Sequence, residues 1–149
     1  MRIVLVDHAL YRVGLRLLLE SAAGLEVVGE ASGPEEAFHV IAGRVPDLAI
    51  VDTALPGLRG TRALRSIGRR APKVRILILT EHGSIRDVVA AIGAGVRGYA
   101  LKGDSSQEIL HAVRTVQQDR LYLAPSIAPP RRPSVISYTP ETASRAMAG

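Results

Sequence analysis

Five short apolar segments, separated by segments with helical spacing, constrain the fold of this chain of 149 residues more than any other feature. Continuous apolar runs of four to seven residues are typical of parallel strands that are covered on both faces of a sheet. Here they occupy residues 2–6, 25–31, 48–51, 74–79 and 98–101. The sequence therefore predicts five strands in one buried sheet.

The segments that follow these runs carry apolar residues three or four positions apart, which predicts helices with one buried face. The residues expected to face the core are Leu10, Val13, Leu17 and Leu18 in the first helix, Ala37, Val40 and Ile41 in the second, Leu64 and Ile67 in the third at about 60–70, Ile85, Val88, Val89 and Ile92 in the fourth, and Ile109, Ala112, Val113 and Val116 in the fifth. Gly33 and Pro34 favour the start of the second helix. Ser84 is placed to cap the fourth helix, and Asp104 or Ser105 the fifth.

This alternation predicts an α/β protein with a parallel sheet, right-handed crossovers and helices on both faces. Five such units match a flavodoxin-like (βα)5 doubly wound sheet with the strand order 2-1-3-4-5. In that fold the carboxyl ends of the strands line one crevice, which binds the ligand. The residues that follow the strands are therefore the candidates for a functional site.

We expect one domain over residues 1–123, because single domains usually have about 100–150 residues. Residues 124–149 are predicted to be a proline-rich linker or tail, in which Thr139 and Pro140 favour the start of a short helix. Five of the nine prolines lie in that segment: Pro125, Pro129, Pro130, Pro133 and Pro140.

The composition narrows the classes of function. The chain has no cysteine, which excludes disulfides and thiolate metal sites and favours the cytoplasm. No apolar stretch approaches the roughly 20 residues that span a bilayer, so we expect no membrane partner. The net charge is +5, but only four tyrosines and one phenylalanine are available for base stacking. We therefore interpret the basic residues between Arg59 and Arg75 as a solvated helix face and not as a DNA site.

Four polar side chains stand at the ends of predicted strands: Asp7, Asp52, Thr80 and Lys102. We expect them to converge at one edge of the sheet. An aspartate can accept a phosphoryl group as an aspartyl phosphate. A lysine binds phosphate as a point charge and a hydroxyl can donate to it, so the set indicates a pocket for a divalent cation and a phosphoryl group.

At this level of detail the chain resembles the receiver domain of two-component response regulators, and in particular the NarL/FixJ-type branch. The resemblance covers residues 1 to about 123. It is carried by LVDHALYRVGL at 5–15, VVGEASGPEEA at 27–37, PDLAIVDTALPGLRG at 46–60, ILILTEH at 76–82, GAGVRGYALKGDSSQEIL at 93–110 and YLAP at 122–125.

The resemblance implies a role for each candidate residue. Asp52 would accept phosphate from the phosphohistidine of a sensor histidine kinase. Asp7, Asp52 and the backbone carbonyl of Ala54 would hold Mg²⁺, and Lys102 and Thr80 would contact the phosphoryl group.

The resemblance also implies how the signal leaves the site. Tyr99 would be an aromatic switch that packs inward once Thr80 is drawn to the phosphate. We expect a homodimer, with helices one and five as the pairing surface that the resemblance implies. Leu15 and Leu19 form an apolar pair four residues apart that either faces the partner or belongs to a wider buried stripe of helix one. DNA would be bound only through an output domain that is missing from these residues.

The chain departs from the family pattern at several positions. The family has two adjacent acids before a histidine, whereas only Asp7 precedes His8 here, so we expect weakened Mg²⁺ binding. His8 is a poor ligand for Mg²⁺, which favours oxygen, and is expected simply to lie near the start of helix one. Arg59 stands where an acid is common, and Gly103 follows the lysine. Glu81 is placed to add charge at the rim of the pocket.

Two alternative functions remain open at this stage. An atypical receiver that is never phosphorylated would act as a dimerisation or ligand-binding module, and the incomplete acidic pair favours it. A hydrolase with an aspartate nucleophile would need a second acid two residues after Asp52, where Ala54 stands. We therefore expect a switch and not an enzyme.

Overall fold

The computed structural model describes residues 1–127, so the short helix predicted at Thr139 lies outside the described residues. Strands and helices alternate along the chain. Their bounds are β1 Arg2–Val6, α1 Ala9–Glu20, β2 Glu26–Ala31, α2 Pro34–Arg44, β3 Leu48–Val51, α3 Arg62–Arg70, β4 Arg75–Thr80, α4 Ile85–Gly93, β5 Gly98–Leu101, α5 Ser106–Gln117 and β6 Tyr122–Leu123.

The strands form one parallel sheet in the order β2-β1-β3-β4-β5-β6. The flavodoxin-like (βα)5 fold and its order 2-1-3-4-5 are therefore confirmed. The sixth strand was not predicted, because two residues are too few to give a periodic signal. Tyr122 and Leu123 extend the sheet by pairing with Gly98 and Tyr99 of β5.

The central strands are buried along almost their whole length, as continuous apolar runs predict. In β1 and β3 every residue from Ile3 to Val6 and from Leu48 to Val51 is buried, and β4 is buried from Ile76 onward. The residues that directly follow β1 and β3 therefore lie at the edge of the buried interior of the protein.

Three helix starts follow the sequence prediction. Ser84 caps α4 in a capping box, because its hydroxyl accepts from the Asp87 amide while the Asp87 carboxylate accepts from the Ser84 amide. Ser105, and not Asp104, caps α5 by accepting from the Glu108 amide. Gly33 precedes Pro34, which is the first residue of α2.

Helix α1 turns a different face to the core from the one that we predicted, and of the predicted residues only Leu18, which is half-buried, packs against the core. Leu15 and Leu19 are buried, the latter completely, whereas Leu10 is 87% and Leu17 70% exposed and Val13 is exposed as well. Of the two roles considered for Leu15 and Leu19, the structure therefore supports the buried stripe and not the partner-facing pair. The helix carries leucine or valine on both sides, so a spacing of three and four residues fits either face.

Helix α4 also differs from the prediction. Val88 and Ala91 are buried, whereas Ile85, Val89 and Ile92 are exposed. In α2 Val40 is only half-buried, and the predicted core residues of α3 and α5 are buried. No helix within residues 1–127 is both long and apolar enough to cross a membrane.

Candidate functional site

Backbone hydrogen bonds continue the sheet beyond the strand ends and fix the positions of the candidate residues. The Asp52 amide donates to the Val6 carbonyl at 2.9 Å, and the Lys102 amide donates to the Thr80 carbonyl at 2.8 Å. Asp7 is tied in the same way to Ala31 at 3.0 Å. The side chains that follow β1, β3 and β5 therefore start from one edge of the sheet, and Thr80 is the last residue of β4.

The ammonium group of Lys102 joins the two predicted carboxylates. Its Nζ donates to Oδ1 of Asp7 at 2.9 Å and to Oδ2 of Asp52 at 2.8 Å. All three side chains are at least nine-tenths buried. The cation thus neutralises one of two buried negative charges, and the pocket keeps one net negative charge.

Tyr11 completes the surroundings of Lys102, a role that the sequence analysis missed. The Lys102 Nζ lies 4.0 Å from the centroid of the Tyr11 ring, within the range of a cation–π interaction. Tyr11 lies in the first turn of α1, three residues after His8. That position brings it near the end of β1, but the sequence carries no signal for the direction of its ring.

Two turn hydrogen bonds orient the carboxylates. The Ala54 amide donates to Oδ1 of Asp52 at 2.9 Å, and the His8 amide donates to Oδ1 of Asp7 at 2.6 Å. Aspartates often hold nearby backbone amides in this way where a strand ends and a loop begins. Each carboxylate therefore has a fixed orientation towards Lys102.

Burial and hydrogen bonding act on the two carboxylates with different results. Burial is the largest influence on both and, at Asp7, outweighs the hydrogen bonds from Lys102 and His8, so that the pKa of Asp7 is raised. At Asp52 the hydrogen bonds from Lys102, the Ala54 amide and Thr80 together outweigh burial and lower the pKa. Burial opposes the charge of Lys102, but its bonds to Asp52 and Asp7 raise its pKa. Asp52 is therefore held ionised beside a cation.

The site also contains a set of groups that can hold a divalent cation. Asp7, His8 and Asp52 each offer one ligand atom, and these atoms lie within 4.8 Å of one another. The two carboxylates are buried and the histidine is exposed. The carboxylate oxygens fit Mg²⁺, whereas the imidazole suits ions that accept nitrogen ligands.

Thr80 and Tyr99 lie beside this pocket and are both buried. They line an open cavity of about 320 Å³ that also touches Ala54, Asp87 and Arg59. Tyr99 already points inward, because its ring packs so closely against Gly83 that a Cβ atom there would lie 2.6 Å from Cε1. The cavity leaves space in which Thr80 and Tyr99 can change position.

The remaining predicted residues lie at the margin of the site. Glu81 and His8 line an open groove of about 570 Å³ between α1 and the start of α5, together with Tyr11, Lys102 and Asp104. The groove leads from solvent to the lysine. Gly103 has open space where a Cβ atom would be, so a side chain at this position would meet no neighbouring atom within 4 Å.

The fold and the site define a doubly wound α/β protein with an acid–lysine pocket at the carboxyl edge of its sheet, and comparison with known proteins identifies the family. The model of the response regulator receiver domain matches residues 3–114. Response regulator UvrY of Escherichia coli (strain K12) is 38% identical over 122 residues, which are 82% of this chain and 56% of the relative. Response regulator GacA of Pseudomonas aeruginosa is 31% identical over 126 residues, which are 85% of this chain and 59% of the relative.

Solved structures agree with these relatives. A LuxR-family two-component response regulator from Aurantimonas sp. SI85-9A1 superimposes with a TM-score of 0.81 and 36% identity, covering 85% of this chain and 91% of the other. The chain belongs to the response regulator receiver domain family. It spans little more than half the length of the curated relatives that it matches.

Proposed function

We propose that this chain is the phosphoacceptor of a two-component system and that Asp52 takes a phosphoryl group from the phosphohistidine of a sensor histidine kinase. The observation that carries the proposal is the Lys102 ammonium, which bridges Oδ2 of Asp52 and Oδ1 of Asp7 in one buried pocket. A buried nucleophile beside a fixed cation is the arrangement that phosphoryl transfer requires, because catalysis there is mainly positioning and charge stabilisation.

The transfer follows from the side chains present. A carboxylate oxygen of Asp52 attacks phosphorus, the O–P bond forms, the N–P bond breaks, and the kinase imidazole leaves. The lowered pKa of Asp52 keeps this oxygen unprotonated and able to attack. Lys102 stabilises the negative charge that develops on the phosphoryl oxygens, because its ammonium group acts as a point charge beside them. Asp7, Asp52 and the backbone carbonyl of Ala54 would hold Mg²⁺, which would supply further neutralisation of the phosphoryl charge.

The phosphoryl group changes the balance between two conformations of the protein. It presents new acceptors to the Thr80 hydroxyl, and a shift of Thr80 alters the packing around Tyr99 in the adjoining cavity. A change from 1:99 to 99:1 requires about 5.5 kcal/mol of differential interaction. A dianionic phosphoryl group beside Lys102 is a source of this differential free energy, because charge-assisted hydrogen bonds are roughly twice as strong as hydrogen bonds between neutral groups.

The same pocket argues against the two alternatives. An unphosphorylated module has no need of two buried carboxylates around one lysine, because the net negative charge that they leave in the pocket is costly in a protein interior. A hydrolase of similar fold needs an acid two residues after Asp52, and Ala54 stands there. The proposed role is a switch and not an enzyme.

Homodimerisation through α1 is part of the proposal. Leu10, Val13 and Leu17 are exposed and lie at positions i, i+3 and i+7, so they form one apolar stripe on the outer side of α1. A cytoplasmic pair of chains joined by this stripe would present two output domains to DNA in the whole protein.

The experiment is amide NMR with beryllofluoride as the phosphoryl mimic and excess Mg²⁺, on the wild type and on Asp52→Asn. We expect the resonances of Thr80, Gly83 and Tyr99 to move in the wild type and to stay in place in the variant. An unchanged wild-type spectrum would overturn the proposal.

A further inference from the structure

We infer that His8 is a metal ligand in this chain and that Asp7, His8 and Asp52 together form a site for a divalent transition-metal ion of the Zn²⁺ and Co²⁺ class. The inference concerns the pocket of the proposed function and rests on that function only for what the ion does there. Binding itself needs no phosphoryl group. The imidazole of His8 gives the pocket a nitrogen ligand, which Mg²⁺ does not favour.

The first argument is geometric. One ligand atom of each of the three residues lies within 4.8 Å of the others, so a small inward movement of the histidine ring completes a three-ligand set. His8 occupies the N-cap position of α1, where its side chain makes no capping hydrogen bond. The imidazole is therefore not committed to the structural role that its position suggests.

The second argument is access. His8 is exposed and lines the groove of about 570 Å³ that reaches Lys102 from solvent. Glu81 lines the same groove and adds negative charge at its rim. An ion can thus enter past His8 and meet the two buried carboxylates, while water fills its remaining positions.

The third argument is charge. Lys102 already holds both carboxylates at 2.9 and 2.8 Å, so an incoming cation must compete with an ammonium for the same oxygens. Mg²⁺ would have only the Ala54 carbonyl besides these two carboxylates, so Lys102 competes for both of its side-chain ligands. An ion that also bonds to imidazole gains a nitrogen ligand besides the two carboxylates that Lys102 holds. The set of donors therefore favours nitrogen-accepting ions over Mg²⁺.

The test is a calorimetric titration of the full chain with Zn²⁺, Co²⁺ and Mg²⁺, without any phosphodonor. Zn²⁺ binds most sites of this kind more tightly than Mg²⁺, so the decisive quantity is the change in the affinity ratio between variants. We expect His8→Asn to weaken Zn²⁺ and Co²⁺ by about tenfold or more, since even partners outside the first ligand shell are worth that much, and to leave Mg²⁺ almost unchanged.

Two further variants sharpen the test. His8→Asp supplies a second adjacent acid, so it should tighten Mg²⁺ and reduce the preference for Zn²⁺. His39→Asn, on the exposed side of α2, is the matched control and should change neither affinity. The visible absorption of bound Co²⁺ reports nitrogen ligation directly, and we expect His8→Asn to change it.

Unaltered Zn²⁺ affinity and an unaltered Co²⁺ spectrum in His8→Asn would overturn the inference. Circular dichroism shows whether each variant is folded, and His8 is exposed enough for its replacement to leave the core intact. Because no phosphoryl group is present, a chain that fails to accept phosphate can still bind the ion through His8. Failure of the proposed function is thus distinguishable from failure of this inference.

Discussion

Lys102 Nζ lies 2.8 Å from Oδ2 of Asp52, although 50 positions separate the two residues and their strands are not neighbours in the sheet. β4 lies between β3 and β5, so the lysine reaches past the end of β4 to make this contact. The ammonium that meets Asp52 also meets Asp7. One long side chain therefore connects three strand ends and holds the pocket together.

Replacing Lys102 by alanine should destabilise the protein and do so most strongly near neutral pH. The change leaves Asp7 and Asp52 buried without their cation, which we expect to lower the free energy of unfolding by about 3–5 kcal/mol at pH 7. Burial raises the pKa of Asp7, so this carboxylate takes up a proton at a higher pH in the folded protein than in the unfolded chain. The loss should therefore shrink as the pH falls and Asp7 takes up a proton.

Urea denaturation at neutral and acidic pH measures this effect. The double variant Lys102→Ala, Asp52→Asn should recover part of the loss, because it removes one of the uncompensated charges. An equal loss for the single variant at both pH values would contradict the account of the pocket.

The ion pairs of Glu30 should contribute to the stability of the fold only at pH values at which the Glu30 carboxylate is ionised. Its carboxylate pairs with Arg16 at 2.7 Å and Arg12 at 3.0 Å, and the hydrogen bond from Arg16 is the largest cause of its lowered pKa. The contribution is complete above the ordinary glutamate pKa of about 4.3 and is lost as the pH falls through the lower folded value. Because about a third of the Glu30 side chain is exposed, we expect a contribution of about 0.5–1 kcal/mol to the free energy of unfolding.

Thermal unfolding of Glu30→Gln from neutral to acidic pH tests this expectation. The variant should be less stable than the wild type at pH 7, and the difference should disappear at low pH. Glu35→Gln, at an exposed position in the first turn of α2, is the control. A difference for Glu30→Gln that grows on acidification would refute the assigned sign.

Gly83 should control the position of the Tyr99 ring. An added Cβ would lie 2.6 Å from Cε1 and 2.9 Å from the hydroxyl of Tyr99, so Gly83→Ala must displace the ring. We expect a cost of about 1–3 kcal/mol and a shift of the Tyr99 ring signals in NMR spectra. Gly68→Ala in α3, where a Cβ meets nothing within 4 Å, should instead stabilise the protein by up to about 1 kcal/mol. An unmoved Tyr99 ring in Gly83→Ala would show that the contact is not tight.

A negative charge on the outer stripe of α1 should dissociate the proposed dimer. Leu17 is 70% exposed, so Leu17→Glu leaves the core intact, and the two new carboxylates face each other across a two-fold interface. Sedimentation equilibrium should show at least an approximately tenfold weaker dimer. Val89→Glu, on the exposed face of α4, is the matched control and should dimerise normally. Equal dimerisation of both variants would place the interface elsewhere.

The fold could be predicted further than the orientation of its helices. Parallel strands that are buried on both faces have continuous apolar sequences, so the sequence predicted both ends of β1, β3 and β5 correctly. Helix orientation depends on the difference between two faces, and α1 has leucine or valine on both. The sequence therefore could not decide whether Leu15 and Leu19 face the core or a partner, and the structure places them in the core.

For the candidate site, the sequence predicted which residues approach one another but not the directions of the aromatic rings. The carboxyl ends of parallel strands meet at one edge, so topology alone indicates that Asp7, Asp52 and Lys102 approach one another. Ring directions follow from rotamers and packing, which a residue pattern does not encode. That is why Tyr11 beside Lys102, and the His8 ring beside the carboxylates, became apparent only in the structure.

The most direct test of the central claim is the intact mass of the protein after incubation with a small phosphodonor and a divalent cation. We expect the wild type to gain the mass of one phosphoryl group and Asp52→Asn to gain none. A wild type that stays unmodified, or a variant that is modified to the same extent, would contradict the assignment of Asp52 as the acceptor.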